Sequence, residues 1–443
     1  MLIFTIFFIL STILYYYLNN ILASLLIIAL AIFLSVTEYK KNNRINSVIF
    51  LYVGFLLPFG ISLLKLSNLS QIYNIKIFLL IFMTIFIYYI FNKTNIFDFL
   101  SINNNIRIFE NKIKMIDCLF YIEISTFIIS IISLFIEIAV LKFIPLFTLN
   151  TPHAYSSFHI FGIHYLTVLA KFLPIISTVL LFNCEYKFKN LFLNINKYKF
   201  IILIGYVYPI ILSLLLVSRS ILFYSIIYTL LYILILNINI IKTIKIKYKI
   251  LFILFFILSY VTITIFRAHD AIYLNNIFDM KYNLPIFISQ PYSYISQNFE
   301  NLNYLIKELT VFSLGKRTFS PIWTLTLIKK FFTLNIYTYP YLIKEELSTC
   351  TFLYDIYYDF SIYGVAVFIF IISKVFKFFE GIIDKYKSNF ILKINPFFII
   401  IYVVLLSYIL FSFFQNYFLL TNSVIDIVYL YILFNVFDYY VNL

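Results

Sequence analysis

Between Phe200 and Ile241 the chain carries one charged side chain, Arg219. As a single helix this stretch would reach roughly 63 Å at about 1.5 Å per residue, about twice the ~30 Å of a bilayer's hydrocarbon core. It must fold back on itself, and Ser218-Arg219-Ser220 is its polar break. Apolar stretches long enough to span a bilayer recur along the whole sequence. With 63% hydrophobic and 12% charged residues, against about 25% charge in soluble domains, the chain reads as an all-α polytopic integral membrane protein. It forms a single transmembrane helical domain over residues 1–443.

Twelve spans are expected, at roughly 2–18, 21–36, 48–66, 75–91, 116–136, 163–182, 200–217, 220–241, 250–266, 353–373, 396–419 and 424–438. The first has no basic leader and no small-residue cleavage site, so it reads as a retained span and not a signal peptide. The loops at 37–47, 92–115, 183–199, 242–249 and 374–395 hold 3, 4, 4, 4 and 5 Lys or Arg, and the short intervening loops hold almost none. Basic residues favour cytoplasmic loops, so both termini are placed inside. One large structured outer loop, 267–352, is inserted between spans 9 and 10. Its eight Lys and Arg do not reverse that placement, because long translocated loops escape the charge rule. The net charge of +14 is then cytoplasmic anchoring beside anionic lipid, and nucleic acid is not an expected partner.

The chemistry gathers on the outer side. All four histidines, His153, His159, His164 and His269, fall there, with Arg219, Arg267, Arg317, Asp270, Asp355 and Asp359. Lys171 lies in mid-span, where a buried ammonium needs a partner such as Glu123, Glu137 or Asp426. In the outer loop, Leu302, Leu305, Ile306 and Leu309 share a helical face, and Ser320-Pro321 opens a second short helix over 321–332. Both helices are expected along the bilayer surface, roofing a cavity between the spans. The segment around Lys316-Arg317 reads equally well as a solvated turn, and Asp355 and Asp359, four residues apart, share one helical face at the watery outer mouth. The histidine spacing fits no compact metal motif. No Gly-rich phosphate loop occurs on the cytoplasmic side.

Thr351-Phe352, then Asp359-Phe360 and Gly364 running into a span, resemble the T-[YF]-x(6)-D-F-G-x-x-G segment of Wzy-type polymerases of O-antigen and capsular repeat units. Ser218-Arg219-Ser220, Arg267-Ala268-His269-Asp270 and the Asn-Leu of YSYISQNFENLNYLI are similar to further features of that family, in the same order, over residues 200–420. Here Ser361 stands where the family has Gly. The resemblance implies a metal-independent membrane glycosyltransferase with no cofactor, joining undecaprenyl-diphosphate-linked oligosaccharide units at the outer face of the bacterial cytoplasmic membrane. It implies a lipid-linked glycan donor and acceptor, with a chain-length regulator and a flippase as partners. Asp359, Asp270 or His269 would deprotonate the acceptor hydroxyl, and Arg219, Arg267 and Arg317 would hold diphosphate. His153, His159 and Tyr357 would contact substrate. A lipid-linked oligosaccharide flippase and an O-antigen ligase are the competing readings; a flippase would need polar residues spread through the membrane midplane, which the sequence mostly lacks.

Overall fold

The computed structural model describes residues 1–94, 112–148, 154, 157–188, 196–236, 276–282, 284–328, 339–385 and 395–442. Among these residues the regular structure is helical, with one isolated bridge between Ser67 and Met280. Seven helices are long and apolar enough to cross a membrane, and four shorter apolar helices accompany them. The chain is a helical membrane protein. Each stretch read as a span falls on one of these helices, except 250–266, which lies outside the described residues.

The chain divides into two compact units. The first comprises Met1–Asn103, Asp270–Lys385 and Leu405–Val424. Its helices are α1 (Leu2–Tyr17), α2 (Asn20–Asn42), α3 (Ser47–Ser62) and α4 (Ile75–Lys93). The abundant asparagine is put to use at their starts. Asn19, Asn46 and Asn74 cap α2, α3 and α4 by accepting N–H bonds from Ile21, Ile49 and Lys76 at 2.7, 3.1 and 3.0 Å, each satisfying a donor that a helix start leaves open. Midway along α3 the chain loosens into a π-helical stretch, Tyr52–Leu56. Gly54 within it leaves no room for a Cβ against the backbone of Ile409 and Leu410.

Two more helices of this unit fall within 267–352, the stretch read as an outer loop. They are α9 (Ile286–Glu308) and the short α10 (Ser320–Leu325), numbered in chain order with the second unit's helices between. The long α11 (Leu353–Lys385) follows. Leu302, Leu305 and Ile306 are buried as their spacing predicts, but α9 begins well before Phe299, and its second half is buried on more than the one apolar face. Ser289, Asn298, Glu300, Asn301 and Asn303 are buried too, because it packs against the second half of α3, with the Phe299 ring tilted against Phe55 and Phe59 at 5.6 and 5.5 Å. The second short helix stops at Leu325, earlier than its sequence suggested.

The second unit comprises Asn104–His269, Tyr386–Val404 and Ile425–Leu443. It holds α5 (Lys112–Leu141) and α6, which runs Ile163–Thr167, tightens to a 3₁₀ turn at Val168–Phe172 and continues as Leu173–Phe188. It also holds α7 (Asn196–Leu215) and α8 (Arg219–Ile235). The apolar run from Phe200 does turn at its polar break: Val217 takes φ 52° and α8 starts at Arg219. The helices α12 (Pro396–Leu410) and α13 (Thr421–Asn442) close the chain.

Candidate functional site

The first turns of α11 carry Asp355 and Asp359, one helical turn apart, and then the helix breaks. Ser361 sits at φ 61°, ψ −161°, a region that costs a non-glycine residue about 1–3 kcal/mol. The break strands the carbonyls of Tyr358 and Asp359, which would have received N–H bonds from the next turn. They accept instead from Ser313 and Leu314, both at 3.2 Å. A segment far from α11 in sequence, 311–319, is thereby laid over the broken helix.

The two carboxylates fasten it. Asp359, fully buried, accepts from the Ser313 hydroxyl and from the backbone N–H groups of Arg317 at 3.0 Å and Thr318 at 2.6 Å. Asp355 pairs with Arg317 Nε at 2.5 Å, and the guanidinium lies 4.0 Å from the Tyr339 ring centre. Burial works against the charge of Arg317, but the Asp355 carboxylate and Tyr339 hold its pKa above the ordinary arginine value. Burial raises the Tyr339 phenol and the Cys350 thiol, with Asp355 adding to both. The segment around Arg317 is therefore not a solvated turn, nor do the aspartates face water. The loop's donors take the place that water would have taken.

Glycine works at two places here. Gly364 leaves no room for a Cβ beside Phe360, and Gly315, at φ 99°, lies against Phe319 and Phe360. Tyr357 is buried with its ring edge on Phe312 at 6.4 Å.

Sequence reasoning missed a second buried centre in the same unit. Lys65, just past α3, pairs with Glu300 of α9 at 2.5 Å and lies 2.9 Å above the Tyr73 ring. Glu300 also accepts from Gln71 N–H at 3.0 Å. Burial pushes the Glu300 carboxyl up, and the Lys65 ammonium opposes that shift. Beside Glu300, Asn301 donates to the carbonyls of Leu347 and Thr349, both at 2.9 Å, and accepts from Ile343 N–H at 3.1 Å. Asn303 accepts from Asn74 N–H at 2.8 Å. The available signal was the density of polar residues in QNFENLN, too many for one solvent-facing side of a helix.

No family model, curated protein or solved structure matches this chain.

Of the proposed site residues, Asp359 and Arg317 come together, with Asp355 as the third member. Arg219 and His159 belong to the second unit. Arg219 is half-buried at the first position of α8, beside Ser218 and Ser220, whose hydroxyls lie 2.9 Å apart. His159 is exposed, with its ring 4.9 Å from that of His164. Lys171 takes Asp426 as its partner, at 2.6 Å, which decides among the three candidate carboxylates. His153, Arg267, His269 and Asp270 lie outside the described residues. Among the described residues no three His, Cys, Asp or Glu side chains converge on one point.

Proposed function

We propose that the chain is a Wzy-type polymerase, a metal-independent membrane glycosyltransferase that joins oligosaccharide units carried on undecaprenyl diphosphate. In this reading it crosses the bacterial cytoplasmic membrane twelve times, with both termini inside and residues 267–352 outside. The observation that carries the reading is the break in α11. The family's segment has glycine directly after Asp-Phe, and the serine here adopts a backbone that glycine alone enters without strain. The two carboxylates before it fasten a loop that brings one arginine into the unit's interior.

In this reading Asp359 is a positioning residue. Its oxygens are taken up by three donors, so it holds the 313–318 loop and does not take the acceptor's proton. That task falls to His269 or Asp270, and arginine neutralises the leaving diphosphate, which suits its planar, permanently charged fork, the candidates being Arg219, Arg267 and Arg317. Donor and acceptor are both lipid-linked glycans.

A second reading, a lipid-linked oligosaccharide flippase, draws on the second unit. Glu123, Glu137 and the Lys171–Asp426 pair are buried among apolar helices, so ionisable groups do occupy the spans.

The test is the set of lipid-linked products in a deletion strain. Single repeat units delivered to the outer core mean a lost polymerase. Full-length polymer left on carrier lipid means a lost ligase, and single units trapped inside mean a lost flippase.

A further inference from the structure

The second unit contains a feature that the polymerase reading does not use. Along α5 the residues Glu123, Thr126, Ser130, Ser133 and Glu137 recur at intervals of three and four, which places them on one face of the helix. All five are buried. From Glu123 to Glu137 the stripe rises roughly 21 Å at about 1.5 Å per residue, some two thirds of a ~30 Å hydrocarbon core. Hydroxyls alone would read as adhesive between helices. Carboxyls are different, because an ionisable group inside a membrane is costly and tends to mark an ion or proton path.

At one end of the stripe the exposed His159 packs on the buried His164. His164 Nδ1 lies 3.0 Å from Glu137 Oε1, and Glu137 Oε2 accepts from Thr167 Oγ1 at 2.8 Å. The Thr167 carbonyl accepts from Ser130 Oγ at 2.7 Å, and Ser130 also meets the Tyr208 hydroxyl at 3.1 Å. One turn on, Thr126 and the Tyr429 hydroxyl lie 2.5 Å apart. Glu123 then accepts from Ser177 through Oε1, while its Oε2, fully buried, meets no partner among the described residues. Gly205 of α7 makes the room, since a Cβ there would collide with Ser177 and Glu123 together. Beyond Glu123, the half-buried Asp117 accepts from Tyr198 at 2.8 Å.

Among the described residues, charged and titratable groups of three neighbouring helices flank the stripe. They are His164 from the start of α6, Lys171 from its 3₁₀ turn, tyrosines 206 and 208 from α7, and Asp426 and Tyr429 from α13. Lys171 is already matched by Asp426, and among the described residues no ion pair is formed by Glu123.

We propose that the second unit passes protons along this stripe, entering at His159–His164–Glu137 and leaving by Glu123 toward Asp117, or the reverse. A proton is taken up by the carboxylate of one glutamate and released to the next acceptor, with the hydroxyls at each intervening turn as footholds; no bond other than those to hydrogen changes.

The test uses the full-length protein in phosphatidylcholine liposomes loaded with pyranine, with a potassium diffusion potential set by valinomycin. Proton entry severalfold above that of protein-free liposomes is expected. E123Q and E137Q should each bring it down to the protein-free rate, with the elution profile and melting midpoint of the protein kept. Dicyclohexylcarbodiimide, which modifies protonated carboxyls in apolar surroundings, provides a readout on the unaltered chain: it should label Glu123 or Glu137, located by mass spectrometry, and stop the flux. Wild-type flux equal to that of empty liposomes overturns the proposal, as does flux that survives both substitutions or complete labelling. None of these outcomes bears on the polymerase reading, which is decided by the cell's glycan products.

Discussion

Arg317 is held by its side chain and its backbone to two carboxylates one helical turn apart: Nε pairs with Asp355 at 2.5 Å, and its own N–H donates to Asp359 at 3.0 Å. The loop 311–319 is thus fixed in both position and rotation over the start of α11. The family resemblance alone would make Asp359 essential and Asp355 expendable, whereas this geometry makes the two interdependent.

Removing Asp355 takes the carboxylate away from a buried guanidinium, which costs about 3–5 kcal/mol. We therefore expect D355A to melt far below wild type and to lose polymer. The double variant R317M/D355L should regain much of that stability, because an apolar pair of similar volume suits a buried site. It should not regain polymer if Arg317 serves the reaction. Melting in detergent and polymer length on gels check the two halves, and a fully active double variant would remove Arg317 from the site.

Ser361 gives a prediction of opposite sign. Its φ of 61° and ψ of −161° are open to glycine, so S361G should stabilise the protein by about 1 kcal/mol after the extra freedom glycine gives the unfolded chain. S361V should destabilise it. A lower melting midpoint for S361G than for wild type would mean that the break in α11 is not held in this conformation.

Much of this arrangement was legible in the sequence because it is local. The turn at Ser218 follows from the length a helix can reach, the shared face of Asp355 and Asp359 from their spacing of four, and the buried leucines of α9 from their period. The pairings were not legible. Lys65 and Glu300 are 235 residues apart, and Lys171 had three carboxylates within plausible reach until packing chose Asp426. The fastening of the 311–319 loop was hidden for a similar reason: Arg317 stands in a polar stretch that looks solvated, and its burial depends on a helix break that a serine, unlike a glycine, does not advertise.

The Lys65–Glu300 pair sets a pH dependence through Glu300. Its folded pKa lies above the ordinary 4.5, so the folded state holds more protons and stability falls as pH rises from 4.5 toward the folded value, by at most about 1.4 kcal/mol per pH unit. Melting midpoints of wild type and of K65M/E300Q across pH 5 to 10.5 check this. Parallel curves would mean that the pair does not titrate with folding.

Gln297 tests the interior of α9 itself. Its side chain is buried, and neither atom of its amide meets a partner among the described residues. A buried amide left unsatisfied costs about 1–3 kcal/mol, whereas an apolar side chain of similar size removes the polar groups with the cost. Its neighbour one turn on, Asn301, has both amide hydrogens and its oxygen engaged, so the same substitution should act in opposite directions at the two positions. We expect Q297L to raise the melting midpoint and N301L to lower it, because the latter strips partners from Ile343, Leu347 and Thr349. If Q297L instead lowers stability by as much as N301L, the Gln297 amide is satisfied in the native protein by an enclosed water, and a water of that kind makes two to four hydrogen bonds.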